Sequence, residues 1–211
     1  MTAFFTHCWK SAHPRLAAAL ACAFLLGWGA PLVAADPAPP EVAQLRIERN
    51  ADGLFLYATM RIELPVVVED ALLRGVPMFF VAEADVLRYR WYWSDRKVAS
   101  AQRHMRLAYQ PLTRRWRLNV APEAITASSL GMTLNQSFDS LTDAMAAMQR
   151  FSGWRIADAG VVEPDAPAKV EFRFALDVSQ LPRPFQIGTL GQSDWKISVS
   201  ATQQISPEAA K

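Results

Sequence analysis

The feature of this sequence that most constrains its fold is a strict alternation of side-chain character over residues 54–64. Every even-numbered residue of the run is apolar, and the odd-numbered residues finish with Thr59, Arg61 and Glu63. Successive side chains of a strand point to opposite faces, so this alternation predicts a long strand with one buried face. A shorter alternation over residues 44–48 and a turn at residues 50–53 complete a predicted β-hairpin.

Most of the remaining chain repeats this pattern. Apolar alternation predicts further strands at residues 76–93, 98–109, 114–120, 132–138, around 154–156, 170–176 and 195–199. Two segments have helical features instead. Residues 66–74 are followed by Gly75, and residues 140–150 begin with the capping pair Ser140 and Asp143. We therefore expect a mainly β protein, an antiparallel β-sandwich of immunoglobulin-like or similar type with two short helices.

Residues 1–35 have the three-part composition of a secretory signal peptide. Basic residues precede an uncharged run that ends in glycine, proline and small side chains. We expect cleavage before Asp36; the alternative is an uncleaved inner-membrane anchor, since about 20 apolar residues can cross a bilayer. The rest is predicted to be a proline-rich spacer at 36–42, a single β-sandwich domain at 43–200 and a flexible tail at 201–211.

Cleavage would leave a chain without thiols, because both cysteines, Cys8 and Cys22, lie in the predicted leader. A mature chain of this kind has no disulfide, no thiolate nucleophile and no zinc–cysteine site. His104 would be its single histidine, and the neighbouring sequence supplies no partners for a metal site or a catalytic base. We therefore expect no metal and no cofactor.

Basic residues are concentrated between Arg88 and Arg117, where the chain has nine of them and one acidic residue, Asp95. If the strands of this segment pair as a meander, one outer face carries the following basic side chains: Arg88, Arg90, His104, Arg106, Arg115 and Arg117. Like charges directly opposed in a sheet cost about 0.2–1 kcal/mol per pair, so something should offset them.

Two kinds of negative charge are candidates for that offset. One is internal, from carboxylates on other strands such as Glu48, Glu63, Glu83 and Asp85, which would give a solvated face of ion pairs. The other is external, an anionic envelope surface such as lipid headgroups, or an acidic partner domain. The sequence leaves both possibilities open.

Aromatic residues alternate with the first of these arginines in the stretch RYRWYW, residues 88–93. On a single strand Tyr89, Trp91 and Trp93 share a face opposite Arg88 and Arg90, so we expect the three rings in the core. Buried rings cannot serve as stacking platforms for bases, which, together with the predicted export, argues against nucleic acid as a partner.

The first half of the predicted strand at 76–93 has an awkward pattern, since Phe79 and Val81 share a face with Glu83 and Asp85. We expect a β-bulge near residues 82–86 to change the register there. Two carboxylates on one face can also titrate as a catalytic pair, as in a hydrolase. The alternative is that both are ion-paired to arginines of a neighbouring strand, and no other residue typical of a catalytic cleft accompanies them.

A proline-containing run, LDVSQLPRPFQI at residues 176–187, predicts a structural corner after a strand. Asp177 and Ser179 are residue types that close turns through backbone N–H groups, and Pro182 and Pro184 stop the strand from continuing. Phe185 can then pack inward. The alternative is a proline-aromatic ligand for the groove of a partner.

The same run, with Trp195 downstream and the leader upstream, resembles an exported family of Gram-negative, chiefly proteobacterial, origin. That family is catalogued as domain of unknown function 4390, and its members are sometimes called proline-rich signal peptide proteins. The resemblance covers about residues 45–199. It implies no catalytic residues, and the family's genes often lie near a membrane sensor kinase of the nitrogen-regulation type.

From these observations we expect a non-catalytic, exported binding or accessory module of the bacterial envelope, located in the periplasm. Its partner would be an anionic surface or a membrane-associated protein bound through the arginine-rich face. The alternatives are a hydrolase that uses Glu83 and Asp85, or a purely structural envelope protein. No G-x-S-x-G motif and no metal-binding spacing supports the enzyme.

Overall fold

Nine strands and two helices make up the part of the chain that the computed structural model describes, which is residues 39–90, 92, 94–125, 133–163, 166–183 and 195–205. All of these residues lie in the unit Pro37–Lys211. The strands are β1 (Glu41–Asn50), β2 (Gly53–Arg61), β3 (Met78–Arg88), β4 (Arg96–Gln110), β5 (Arg115–Ala121), β6 (Leu134–Phe138), β7 (Arg150–Asp158), β8 (Ala168–Leu176) and β9 (Ser198–Ile205). The helices are α1 (Val66–Leu73) and α2 (Leu141–Met148).

The strands form two antiparallel sheets. A three-stranded sheet has the order β1-β2-β7, and a six-stranded sheet has the order β6-β5-β4-β3-β8-β9. Strand β7 of the small sheet lies against β3 and β4 of the large one. The prediction of a mainly β, antiparallel, sandwich-like protein with two short helices is confirmed.

The core fills the space between the sheets with the apolar side of each alternating strand. The even-numbered residues of β2 and of β8 are buried, as the alternation predicts. Phe80 of β3 stacks on Phe174 of β8 with ring centroids 5.5 Å apart, and Phe151 of the small sheet meets the edge of Phe172 at the same distance. Rings of both sheets therefore pack directly against one another.

Both helices lie where the sequence predicts them. Helix α1 follows Pro65 and ends before Gly75, whose φ of 85° is readily adopted only by glycine. Ser140 caps α2, because its hydroxyl oxygen accepts a hydrogen bond from the backbone N–H of Asp143 at 3.1 Å. The apolar face of α2 contacts β5, β6 and β7.

In β3, the expectation that Phe79 and Val81 face the core is wrong. The buried residues of the strand are Met78, Phe80, Ala82, Ala84 and Val86, and the pairing with β8 is unbroken from Phe80 to Arg88. Phe79 and Val81 lie half-buried on the outer side with Glu83 and Asp85, so no bulge near residues 82–86 is needed. The register shift occurs instead in β4, where Val98 is the extra residue between the partners of Val86 and Leu87. Ala82 and Ala84 are fully buried on the inner side of β3, where β7 of the small sheet packs against it.

The predicted burial of Tyr89 is wrong. Strand β3 ends at Arg88, and Tyr89 is 61% exposed. Beyond Arg88 the partner strand offers Pro167, which has no N–H for the ladder, and the Tyr89 N–H bonds to the Pro167 carbonyl. Trp91 and Trp93 lie outside the described residues.

Two predicted boundaries shift by a few residues. Strand β1 begins at Glu41, inside the segment predicted as spacer. Strand β9 continues to Ile205, inside the segment predicted as tail, because it pairs with the whole of β8. The predicted leader at residues 1–35 lies outside the described residues, and its cleavage stays a prediction.

Candidate anion-binding face

The outer face of the six-stranded sheet carries four of the basic residues that the sequence predicts there. On β4, Met105 and Leu107 are buried, so the alternate residues His104 and Arg106 point outward. On β5, buried Trp116 and Leu118 leave the alternate residues on the outer side. We name these four residues the basic half of the face: His104, Arg106, Arg115 and Arg117.

Arg88 and Arg90 do not belong to this face. Arg88 has the same parity as buried Val86 and therefore lies on the opposite side of β3. Its guanidinium pairs with Glu163 at 3.2 Å. Arg90 follows the end of the strand. The predicted set of six is thus reduced to four, because β3 has the opposite parity to the one expected.

The register of the basic half keeps its arginines from facing each other directly. Arg106 of β4 is opposite Asn119 of β5, and Arg117 is opposite Ala108 on one side and Ser137 of β6 on the other. The two arginines are therefore diagonal neighbours, about 7–8 Å apart at this kind of position rather than about 5 Å. This arrangement avoids the direct cost of opposed like charges that the sequence suggested.

The three arginines of the basic half have different environments. Arg106 is half-buried with its guanidinium carbon 6.0 Å from the centre of the Phe79 ring, and burial lowers the pKa of this arginine. Arg115 is exposed and pairs with Asp139 at 2.9 Å. Arg117 is exposed, and no residue in the described ranges forms an ion pair or a hydrogen bond with its side chain.

His104 lies deeper than the arginines. Its Nδ1 is buried and has no hydrogen-bond partner among the residues that the structure describes. It pairs across the ladder with Val81 and Ala121, which are apolar. Asp177 lies near His104, and the backbone N–H of Asp177 bonds to the carbonyl of Phe79, two residues from Val81.

The other half of the same outer face combines acidic and basic side chains on β3, β4 and β8, which we name the compensated half: Glu83, Asp85, Lys97, Lys169, Glu171 and Arg173. The Lys97 ammonium lies 2.6 Å from Asp85, and Arg173 lies 3.4 Å from Glu83. Lys169 contacts both Glu171 and Asp95 at 2.9 Å. The hydrogen bond to Asp85 raises the pKa of Lys97, and those to Asp95 and Glu171 raise the pKa of Lys169.

Glu83 and Asp85, the candidate catalytic pair, are members of this compensated half. Both carboxylates share one face, as predicted, and a shallow cavity of about 280 Å³ lies beside them. Asp85 also accepts a hydrogen bond from the Ser100 hydroxyl at 2.7 Å, and Glu83 accepts one from Gln102. These contacts favour the ion-pair interpretation, with β4 and β8 supplying the cations.

The predicted turn after β8 is present around Asp177. Its carboxylate accepts hydrogen bonds from the Ser179 N–H at 3.0 Å and from Gln180 at 2.8 Å, and it caps a short 3-10 helix, Val178–Gln180. Pro182 follows as an exposed residue. Pro184 and Phe185 lie outside the described residues, so the second half of the predicted corner stays a prediction.

Sequence reasoning missed charged residues on both sides of the large sheet. Lys169, Glu171 and Arg173 occupy the polar positions of β8, and the alternation of that strand contained the signal for an outward charged row. Arg103 was also missed. It lies on the inner side of β4, with its guanidinium 4.9 Å from the Trp154 ring and 5.5 Å from the Phe151 ring.

Comparison with known proteins adds the family. The sequence model of the family described as Domain of unknown function (DUF4390) matches residues 38–206. The chain belongs to this family. No curated protein and no solved structure matches it. Within the described ranges, no helix has the length and apolar character needed to cross a membrane.

Proposed function

We propose that this protein is a non-catalytic binding or accessory module, exported to the bacterial envelope, whose basic half binds an anionic membrane surface. The observation that carries the proposal is the charge imbalance of the outer face. In the basic half, Asp139 is the single carboxylate that pairs with any of the arginines within the described residues. In the compensated half every cation has an acidic partner.

The imbalance supports binding because a lipid surface can supply the missing negative charge. Basic side chains near an anionic bilayer contribute about 1 kcal/mol each, and this attraction falls off within a Debye length of roughly 8–10 Å. Arg115 and Arg117 are exposed on one strand and can reach a flat surface together. Each exposed guanidinium group can bond a phosphate through two N–H groups.

The compensated half supports the non-catalytic part of the proposal. Glu83 and Asp85 are held by Arg173 and Lys97, so neither is poised as a free acid or base in a deep cleft. Export is supported by the composition of residues 1–35. A link to a membrane sensor kinase rests on the family resemblance alone.

Flotation with lipid vesicles tests the proposal. The protein is mixed with phosphatidylcholine vesicles, with or without phosphatidylglycerol, at low and at high salt. The test variant is R106Q/R115Q/R117Q, and the matched control is K97Q/K169Q/R173Q, which removes the same number of positive charges from the compensated half. Circular dichroism confirms that both are folded.

The wild type should float with anionic vesicles at low salt and not at high salt. The test variant should lose about 100-fold in affinity, since three cations contribute about 1 kcal/mol each. The control should lose much less. Equal recovery of wild type and test variant on anionic vesicles contradicts the proposal and leaves a structural envelope role as the better explanation.

A further inference from the structure

A second surface feature lies on the outer side of the small sheet, away from the basic half. It is a cleft of about 770 Å³ with β2 as its floor and β1 and β7 as its walls. Its polar lining consists of Gln44, Arg46, Tyr57, Thr59, Arg150 and Ser152. Nothing in the proposed membrane binding uses these residues.

Two β-bulges shape the cleft. In β7, Ser152 and Gly153 both stand opposite the single residue Tyr57, and Gly153 has a φ of 59°. In β1, Ala43 is an extra residue between the partners of Met60 and Thr59. Bulges bend a strand and increase its twist, and they often re-aim side chains next to binding sites. Here both walls are bent at the level of Tyr57 and Thr59.

The walls carry one arginine each. Arg46 is in the ladder position opposite Tyr57, and Arg150 is opposite Thr59. The two arginines lie on strands that are separated by β2, and they are offset by two residues along the strand direction. Their Cα atoms are therefore roughly 12 Å apart, and two extended arginine side chains can reach the same small anion between them.

The arginine on β7 has no internal counter-charge. Arg150 is exposed, and none of the described residues forms an ion pair with it. Its backbone is fixed, because the Gln149 carbonyl accepts a bond from the Met60 N–H at 3.0 Å and the Gln149 side chain donates to the Ile62 carbonyl at 2.7 Å. The cation therefore sits on a rigid part of the wall.

The arginine on β1 is oriented by its neighbours. The guanidinium of Arg46 lies 4.9 Å from the centre of the Tyr57 ring and 2.9 Å from Glu48. The Glu48 carboxylate beside the Tyr57 hydroxyl also raises the pKa of that tyrosine. One carboxylate thus orients both the cation and the ring, while Arg46 keeps further N–H groups for a ligand.

We propose that this cleft binds a phosphorylated saccharide, with the phosphate between Arg46 and Arg150 and the sugar hydroxyls against the polar side chains of Gln44, Thr59 and Ser152. Paired guanidinium groups bind a phosphate through several charge-assisted hydrogen bonds. The hydroxyls of Thr59 and Ser152 and the amide of Gln44 both donate and accept, which suits a polyhydroxylated ligand. A purely apolar or cationic ligand would leave these groups unsatisfied.

Calorimetric titration of the protein tests this inference with three probes: glucose 6-phosphate, inorganic phosphate and glucose. Glucose 6-phosphate should bind saturably and more tightly than either of the others. Arg150→Gln and Arg46→Gln should each weaken it about 10-fold or more, the loss expected for charge-assisted hydrogen bonds. Arg155→Gln is the matched control, since Arg155 lies on the same strand beside Asp158 and outside the cleft.

The result is independent of membrane binding. R106Q/R115Q/R117Q should bind glucose 6-phosphate as the wild type does, because its changes lie on the other sheet. Absence of saturable binding, or an equal loss in Arg155→Gln and Arg150→Gln, overturns the inference. Equal affinity for phosphate and glucose 6-phosphate also overturns it, because the polar side chains of the cleft would then contribute nothing to binding the sugar.

Discussion

The two halves of the outer face of the six-stranded sheet differ in how their positive charges are balanced. Around β3 and β8 each cation contacts a carboxylate within 3.4 Å. Around β4 and β5, Arg106 lies over a ring and Arg117 has no acidic contact in the described ranges. The pKa values follow this division, since carboxylates raise the pKa of Lys97 whereas burial lowers that of Arg106.

Neighbouring strands explain the difference. Strand β8 brings Arg173 opposite Glu83, so opposite charges meet there across the ladder. It also places Glu171 opposite Asp85, and the cations Lys169 and Lys97 balance these two acids. Strands β5 and β6 instead bring Asn119 and Ser137 beside the arginines of the basic half. The cations of this surface are thus ion-paired in one half and available in the other, according to the carboxylates that the neighbouring residues supply.

The first prediction compares the two halves directly through stability. Asp85→Asn should lower the free energy of unfolding by about 1–2 kcal/mol, because it weakens charged hydrogen bonds from Lys97 and Ser100. Arg117→Gln should change it by less than about 0.5 kcal/mol, as for an exposed surface residue. Urea denaturation measures both. Similar losses in the two variants would contradict the division of the face.

The second prediction concerns Asp177, whose carboxylate caps the short 3-10 helix after β8. Burial raises the pKa of Asp177, but hydrogen bonds from Ser179 and Gln180 outweigh it and hold the pKa below its usual value. Asp177→Asn should cost about 1 kcal/mol at neutral pH, because the amide keeps one acceptor oxygen but loses the second one, which accepts from Gln180.

The pH dependence of this loss has a definite sign. A depressed folded-state pKa stabilises the protein above the unfolded pKa of about 3.9, and the contribution disappears as pH falls through the folded value. The difference between wild type and Asp177→Asn should therefore shrink below about pH 4. Ser179→Ala, which keeps the carboxylate, is the control. A difference that is constant with pH would show that charge is not involved.

The third prediction converts the basic half toward the compensated one. Ser137 is exposed and opposite Arg117, so Ser137→Glu should create a cross-strand ion pair and stabilise the protein by about 0.2–1 kcal/mol. The same change should reduce flotation with anionic vesicles, while Ser137→Gln should not. Unchanged flotation of Ser137→Glu would show that Arg117 does not contact lipid.

The smallest expected effect is a coupling energy. A double-mutant cycle of Glu83→Gln and Arg173→Gln should give about 0.2–1 kcal/mol of favourable coupling, typical of exposed ion pairs. The cycle of Arg106→Gln and Arg117→Gln should give coupling near zero or of opposite sign. Equal favourable coupling in both cycles would contradict the contrast.

The sequence predicted the fold well where one side of a segment was clearly apolar. The alternation at residues 54–64 became β2, and Ser140 with Asp143 became the cap of α2. It failed in β3, where Phe79 and Phe80 compete for the core and small alanines fill the buried face. Periodicity alone cannot choose between two apolar registers, since the choice depends on the strands that flank β3.

The candidate site was predicted only in part for the same reason. His104, Arg106, Arg115 and Arg117 follow from strands whose parity is unambiguous. Arg88 and Arg90 were wrongly predicted on the outer face, because the parity of β3 was predicted wrongly. To predict the division into two halves, one would need to know that the strands are ordered β5-β4-β3-β8. Local alternation does not contain this information, because the pairing joins residues as distant in sequence as Glu83 and Arg173.

The unequal width of the two sheets has a consequence for the basic half. The small sheet packs on β3 and β4 through β7, whereas β5 and β6 are backed by α2. The strand that bears Arg115 and Arg117 therefore rests on a two-turn helix held by Ser140 rather than on a rigid β-layer. A ligand that binds those arginines would therefore affect this helix first. Helix α2 is accordingly the best place for a fluorescent label that detects binding at the basic half.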